Sequence, residues 1–231
     1  LGWSDRGNTA ISQLRADDID WNHIFRDFGS KWFHTGGIYA GLSEFAPDVV
    51  FRAMEAAKDN GVIISYDLNY RPSLWDSIGG YETARKVNKE IVNYVDVLFG
   101  NEEDFTACLG FEIEGVDKNL NTLPTDGFKN MISKVTKVFP NIKIIGTTLR
   151  KVDDANTNDW GAIAWQKDIG FVDSSPFPKL KIFDRVGGGD GFASGFIYGI
   201  MEGMGLSKAL DYGIAHGALA TVSYTHLTLP T

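Results

Sequence analysis

Cysteine is nearly missing from this sequence: Cys108 is the only one in 231 residues. A single thiol excludes an intramolecular disulfide framework and any cysteine-based metal cluster, and it fits a reducing, cytoplasmic setting. A basic surplus is missing too. Lys and Arg number 22 against 30 Asp and Glu, and the net charge of −8 is spread without blocks. That balance disfavours nucleic acid or an anionic membrane surface as the main partner. It leaves small anionic substrates open, because a site needs only local positive charge. No apolar run approaches the roughly 20 residues that span a bilayer, and no charged-then-apolar leader opens the chain. The chain begins at Leu1 rather than Met, so a preceding region with such a leader stays open. Histidine is scarce, with 4 residues. Neither His34, before "TGG", nor His216, inside "YGIAHGALA", has a partner at metal-ligand spacing, so a zinc site is not expected. Both read as packing or hydrogen-bonding residues.

What the sequence does have is an ordinary globular balance, 43% hydrophobic and 23% charged, with no stretch resembling a linker. Short apolar, β-branched runs alternate with amphipathic helical patterns. "KWFHTGG" (31–37) reads as a strand ending in a glycine turn. "APDVVFRAMEAAKDNG" (46–61) reads as a helix, with Pro47 near its start and Gly61 as its stop. "VIISYDLN" (62–69) is a buried strand, a helix over about 81–93 leads to a strand in "VDVLFGN", and a helix near 127–138 precedes a strand in "IKIIGTT" (142–148). The polar "DDANTND" reads as a loop, "GAIAWQ" and "GFVDS" as a hairpin, and about 189–203 and 207–220 as two final helices. Strands separated by helices predict an α/β fold, an αβα sandwich around a mostly parallel sheet. The tryptophans at 32, 75, 160 and 165 read as core.

In such a sheet, ligands gather beyond the C-terminal strand ends. Asp67, Asn69 and Arg71, then Asn101 and Asp104, then Thr147, Thr148 and Arg150 are expected at that edge. The stretch "FDRVGGGDGFASGF" (183–196) then sets three glycines before an aspartate where a helix should begin. Glycine lets backbone N–H groups approach an anion, and a helix N-terminus carries about half a positive charge. Gly187, Gly188 and Gly189 therefore suit a phosphate, and Asp190 suits a base that takes a proton from an attacking hydroxyl. The alternative is a plain loop with Asp190 as a helix N-cap. Gly191, Gly195, Gly199 and Gly203 recur every four residues, a stripe best explained by close helix packing. Arg71 can clamp a carboxylate or phosphate with two hydrogen bonds, or pair with a nearby surface acid. Acids in "GNEEDF" stabilise a helix start whatever else they do; beside a bound nucleotide, Asn101 and Asp104 become candidates for holding Mg²⁺ through water.

Taken together, "DLNYRPSLW", "GNEEDF", "TTLR", "NDWGAIAW" and "DRVGGGDGFASGFIYG" resemble the ribokinase-like carbohydrate kinases, most of all the branch acting on 2-keto-3-deoxygluconate. The resemblance covers roughly residues 4–220. It implies ATP and Mg²⁺ as cofactors and phosphate transfer to a sugar hydroxyl, giving the 6-phosphate. It implies Asp190 as catalytic base, Gly187–Gly189 as anion hole, and Arg71 as the arginine holding an acid-sugar substrate. It places Asn69 beside the phosphates, and Thr148, Arg150, Gly188 and His216 on the nucleotide side. It matches Arg6 of "SDRGNTA" to a substrate-side arginine. It also implies a homo-oligomer for the complete protein.

The sequence departs from the family in three places. The family's N-terminal region and lid sheet are absent, Asp104 stands where the family has a glutamate, and "TVSYTHLTLPT" (221–231) replaces the expected final segment. We therefore expect residues 1–220 to be a kinase domain lacking its lid, 221–231 to be an atypical tail, and the chain by itself to be a poor enzyme. A kinase of a neutral sugar such as fructose, and a non-catalytic sugar- or nucleotide-binding remnant, are the competing readings.

Overall fold

The computed structural model describes residues 9–112, 125–154, 157–184 and 186–223. In chain order, strand β1 (Trp32–Gly36) and the short helix α1 (Gly37–Ala40) are followed by α2 (Ala46–Asp59), β2 (Ile63–Asp67) and the short α3 (Pro72–Trp75). Next come α4 (Gly80–Val92), β3 (Val97–Phe99), the single turn α5 (Glu102–Asp104) and α6 (Thr125–Val138). The chain then runs through β4 (Ile144–Asp154), β5 (Thr157–Gln166), β6 (Gly170–Asp173), β7 (Phe177–Lys181), α7 (Gly188–Met201) and α8 (Leu206–Val222). Two compact units divide it: Leu1–Glu112 with Lys134–Lys143, and Ile113–Ser133 with Ile144–Thr231.

The first unit is built on a parallel sheet. β2 pairs with β1 on one side and with β3 on the other, in register Phe33↔Ile64 and Tyr66↔Leu98. Ile64, Ser65 and Tyr66 are buried in succession, as a parallel strand covered on both faces requires. Its buried polar atoms are satisfied. The Ser65 hydroxyl accepts from Trp32 Nε1 at 2.7 Å and lies 2.8 Å from His34 Nδ1, while Tyr66 Oη donates to Asn88 Oδ1 at 2.8 Å. Helix α2 buries Val49, Val50, Ala53, Met54 and Ala57, the spacing of one helical face. Pro47 sits in its first turn, and Gly61 beyond its end has φ +67°, as the sequence predicts. Gly37 has no room for a side chain, because a Cβ there would run into the carbonyl of Leu68.

The second unit is antiparallel. β4 and β5 form a long hairpin, with pairs from Ile144↔Gln166 to Lys151↔Asp159, and β6 and β7 pair with opposite ends of β5. One expectation is overturned here. Five residues of "DDANTND" are strand rather than loop, since β4 runs through Asp154 and β5 begins at Thr157, while Ala155 and Asn156 lie outside the described residues. Polar composition hides a ladder that continues through Val152↔Asn158 and, after a register shift, Asp154↔Thr157. Of the four tryptophans expected in the core, Trp75 and Trp160 are fully buried, while Trp32 and Trp165 are half-buried.

Helices α7 and α8 meet closely along a seam of glycines. A Cβ on Gly191 would stand 3.0 Å from the His216 carbonyl, on Gly195 2.7 Å from the Tyr212 carbonyl, and on Gly199 2.6 Å from Ala209 Cα. Three glycines of the stripe are thus packing glycines. Gly203 is not; at φ +67° it ends the helix. Interior glycine costs about 1 kcal/mol relative to alanine, so Gly199→Ala would stabilise an isolated helix. Here it should instead destabilise the fold by about 1–3 kcal/mol through overpacking. Thermal melting should show a Tm lowered by roughly 2–10 °C, and an unchanged or raised Tm would show that the seam yields.

Candidate active site

Two groups of the sequence-derived site residues are placed by the structure, one in each unit. In the first unit, β2 and β3 end side by side, and the Leu68 N–H donates to the Phe99 carbonyl at 2.9 Å just beyond their ends. The chain after β2 turns sharply at Asn69, whose φ of +31° lies in the left-handed region. Asparagine tolerates this region better than most residues, though at a cost. Arg71 follows with extended backbone at φ −133°, the conformation imposed on a residue before proline. Its side chain is exposed, and Nη1 donates to the Tyr70 carbonyl at 2.8 Å.

The turn after β3 is closed by reciprocal bonds. Asn101 Oδ1 accepts from the Asp104 N–H at 3.0 Å, and Asp104 Oδ2 accepts from the Asn101 N–H at 3.0 Å, a capping box. The other carboxylate oxygen, Oδ1, accepts from the Tyr70 N–H at 2.8 Å. Asp104 is only 6% exposed. Burial pushes its carboxyl above the usual range, opposed by the Asn101 and Tyr70 N–H groups and the nearby Arg71 charge. Each Asp104 oxygen accepts one backbone N–H group, and an ionised carboxylate oxygen has a second acceptor position, so these bonds leave the carboxylate able to meet the water of a hydrated Mg²⁺. Among the described residues no group of three or more His, Cys, Asp and Glu is placed to hold a metal.

In the second unit, β4 carries Thr147, Thr148 and Arg150. They lie within the strand rather than beyond its end, since β4 continues to Asp154. Adjacent strand residues face opposite ways, and Thr147 is buried while Thr148 is half-buried. Thr147 and Thr148 therefore do not project together, contrary to the sequence reading. Thr148 is paired in register with Ala162 and Arg150 with Trp160.

The glycine triplet starts α7, and its three members have different duties. Gly187 is the N-cap at φ +82°, which a side chain would strain. Gly188 is buried, and a Cβ there would stand 2.5 Å from the Trp160 ring and 3.0 Å from Thr221 Cγ2. Gly189 meets nothing: a Cβ would point into open space. The incoming chain is tied down, as the Phe183 and Asp184 N–H groups donate to the Thr221 carbonyl at 2.9 and 3.2 Å. The first intrahelical bond at this end runs from the Gly191 N–H to the Gly187 carbonyl at 2.7 Å. The N–H groups before it are those a helix leaves without an intrahelical partner. Asp190 lies in that first turn and is exposed. It is not the N-cap, so the plain capping alternative fails.

His216 is on α8, its ring 6.3 Å from that of Tyr212 and packed where a Gly195 Cβ would be. Arg6 lies outside the described residues. Sequence reasoning missed Tyr70, Trp160 and Thr221, which hold these turns through the backbone or by shape. It also missed Gly213 and Gly217, which answer the α7 stripe from α8: a Cβ on Gly217 would stand 2.8 Å from the Gly188 carbonyl. Their four-residue spacing in "YGIAHGALA" was the available signal.

Known proteins resemble this chain along most of its length. A crystal structure of 2-dehydro-3-deoxygluconokinase from Thermotoga maritima superposes with a TM-score of 0.82 at 34% identity, covering 98% of this chain and 62% of that one. The 5-dehydro-2-deoxygluconokinase of Clostridium perfringens is 29% identical over 223 residues, 95% of this chain and 57% of its own. The 2-dehydro-3-deoxygalactonokinase of Haloferax volcanii is 27% identical over 227 residues, 98% of this chain and 62% of its own. The chain thus spans about three fifths of the length of the relatives it matches. Residues 30–229 match the model of the pfkB family carbohydrate kinases, and the ribokinase-like α/β fold with its Gly187–Asp190 helix start agrees with that match. The chain belongs to the pfkB family of carbohydrate kinases.

Proposed function

We propose that the complete protein transfers the γ-phosphate of ATP to a hydroxyl of a keto-deoxy sugar acid, 2-keto-3-deoxygluconate above all, giving its 6-phosphate. The observation that carries this reading is the start of α7, where the exposed carboxylate of Asp190 follows a glycine, Gly189, with open space where a side chain would be. The relatives' names add support: they denote kinases of 2-dehydro-3-deoxygluconate, 5-dehydro-2-deoxygluconate and 2-dehydro-3-deoxygalactonate. All three compounds carry a carboxylate at one end, and an exposed arginine such as Arg71 suits that group.

In this reading Asp190 accepts the proton of the attacking hydroxyl as its oxygen bonds to phosphorus and the bond to the β-phosphate oxygen breaks. The N–H groups of the Gly187–Gly189 turn stabilise charge growing on the transferred phosphoryl group. Gly188 keeps that turn seated on Trp160, and Thr221 holds the chain entering it. Asn69 serves the phosphate side, Thr148, Arg150 and His216 the nucleotide side, and Arg6 the sugar. Kinases of this kind use Mg²⁺ with ATP, and Asn101 and Asp104 would hold it through water, where it would neutralise phosphate charge.

Two substitutions test the assignments in the complete protein. Asp190→Asn removes the base and leaves the glycine turn, and turnover should fall by about 10²–10⁴ with nucleotide affinity little changed. Steady-state kinetics showing turnover within about threefold of the parent would remove Asp190 from the chemistry. Arg71→Lys turns a forked contact into a point charge. It should raise the KM for 2-keto-3-deoxygluconate by roughly tenfold and leave that for fructose nearly unchanged. A panel of the three sugar acids and fructose reads both the substrate class and this shift, and an acid-sugar KM that does not move rejects Arg71 as the clamp.

A further inference from the structure

Asp104 makes one bond more than its helix start requires. A capping box needs the third residue of the turn to reach back to the N-cap N–H, and Asp104 Oδ2 does this at Asn101. Its other oxygen reaches a different loop, to the N–H of Tyr70, 34 residues earlier in the chain. That N–H belongs to the peptide between Asn69 and Tyr70. Asn69 holds the left-handed turn at φ +31°, a backbone state costing a non-glycine residue about 1 kcal/mol or more unless its surroundings enforce it. On the far side of Tyr70, its carbonyl accepts from Arg71 Nη1 at 2.8 Å. Tyr70 is therefore gripped at both ends, by Asp104 at its nitrogen and by Arg71 at its oxygen. The two loops touch closely beneath this grip, since a Cβ on Gly100 would stand 3.0 Å from Leu68 Cδ1 and 3.4 Å from Asp104 Cβ. From the outside, the Tyr81 ring packs edge-on to Tyr70 at 6.4 Å, with the Arg85 guanidinium 5.9 Å from the Tyr81 ring.

We propose that Asp104 is a positioning residue: its carboxylate clasps the Tyr70 peptide to the Asn101 turn and thereby sets where Arg71 meets the carboxylate of an acid sugar. The inference rests on the reading of Arg71 given above. A charged acceptor suits the task, because bonds from N–H groups to a carboxylate are shorter and stronger than those to a neutral oxygen. Aspartate also suits it by length. A glutamate here would carry its oxygens one methylene further out and could not keep both short bonds with the backbone in place.

The test uses Asp104→Asn, Asp104→Glu, Arg71→Lys and the Asp104→Asn/Arg71→Lys double variant. Amide exchange is read by NMR, and binding of 2-keto-3-deoxygluconate and of fructose by calorimetry. In the unaltered protein the Tyr70 amide should exchange slowly; exchange at the rate of an exposed loop amide overturns the clasp without any variant. Asp104→Asn keeps the shape and loses one acceptor oxygen, so Tyr70 exchange should quicken about tenfold or more. Affinity for 2-keto-3-deoxygluconate should drop by about tenfold, with fructose changed by less than about twofold, whereas general loss of structure would weaken both. Asp104→Glu, which keeps the charge, should weaken acid-sugar binding in the same way; unchanged affinity and exchange in this variant overturn the proposal. In the double variant the two effects should not add, because both act through one contact, and full additivity counts against the coupling. If Arg71→Lys leaves acid-sugar binding unchanged while Asp104→Asn still releases the Tyr70 amide, the failure lies in the substrate reading of Arg71 rather than in the clasp.

Discussion

The α7–α8 seam has no room for a methyl group, and the geometry of the second unit follows from that. Glycines on both helices let backbone meet backbone, Gly195 against the Tyr212 carbonyl and Gly217 against that of Gly188. Such contact is short-ranged and rigid, because dispersion falls steeply with separation and a packed backbone has few other arrangements. Its consequence lies at the end of the seam. Gly188 is at once the first residue of α7 and a packing residue against Trp160 and Thr221. The helix start that presents Asp190 is therefore fixed by the same shape-fitting that joins the helices. A loop of three glycines would be mobile in isolation; here Gly188 is packed in place between two glycines, Gly187 and Gly189, that have open space around them.

The first unit achieves order by other means. Its sheet and turns are organised by buried polar groups that each bridge two others: Ser65 between Trp32 and His34, Asn88 between Tyr66 and the Ala84 carbonyl, Asp104 between Asn101 and Tyr70. Leaving a buried polar group unsatisfied costs more than a hydrogen bond gains, so such networks specify one arrangement of the turns. One unit thus holds its site residues by steric fit and the other by hydrogen-bond satisfaction.

The periodic features of the fold were legible in the sequence. Helix α2 announced itself through Pro47, its apolar face and Gly61; the buried strands did so through β-branched runs; the GGGD start of α7 did so through residues that make poor helix interior. The β4–β5 ladder beyond Thr148 was not legible. Its pairing energy resides in backbone groups, and the strand residues of "DDANTND" are of types that favour turns. The same reason hid the part played by Tyr70. The peptide N–H that Asp104 grips has no sequence signature, and only the meeting of two loops far apart in the chain reveals it. Reading Asp104 as an ordinary helix-start acid captured one of its oxygens and missed the other.

The sole thiol lies beneath these loops. Cys108 is fully buried, its Sγ 3.9 Å from the Leu68 carbonyl, and burial drives its pKa upward. A thiol so disposed is inert, because the thiolate is the reactive form and none is exposed. The protein therefore carries an internal clock for its own breathing. A thiol reagent can label the chain only during moments when the packing around Leu68 comes apart, so the labelling rate counts those openings against a background of zero competing sites.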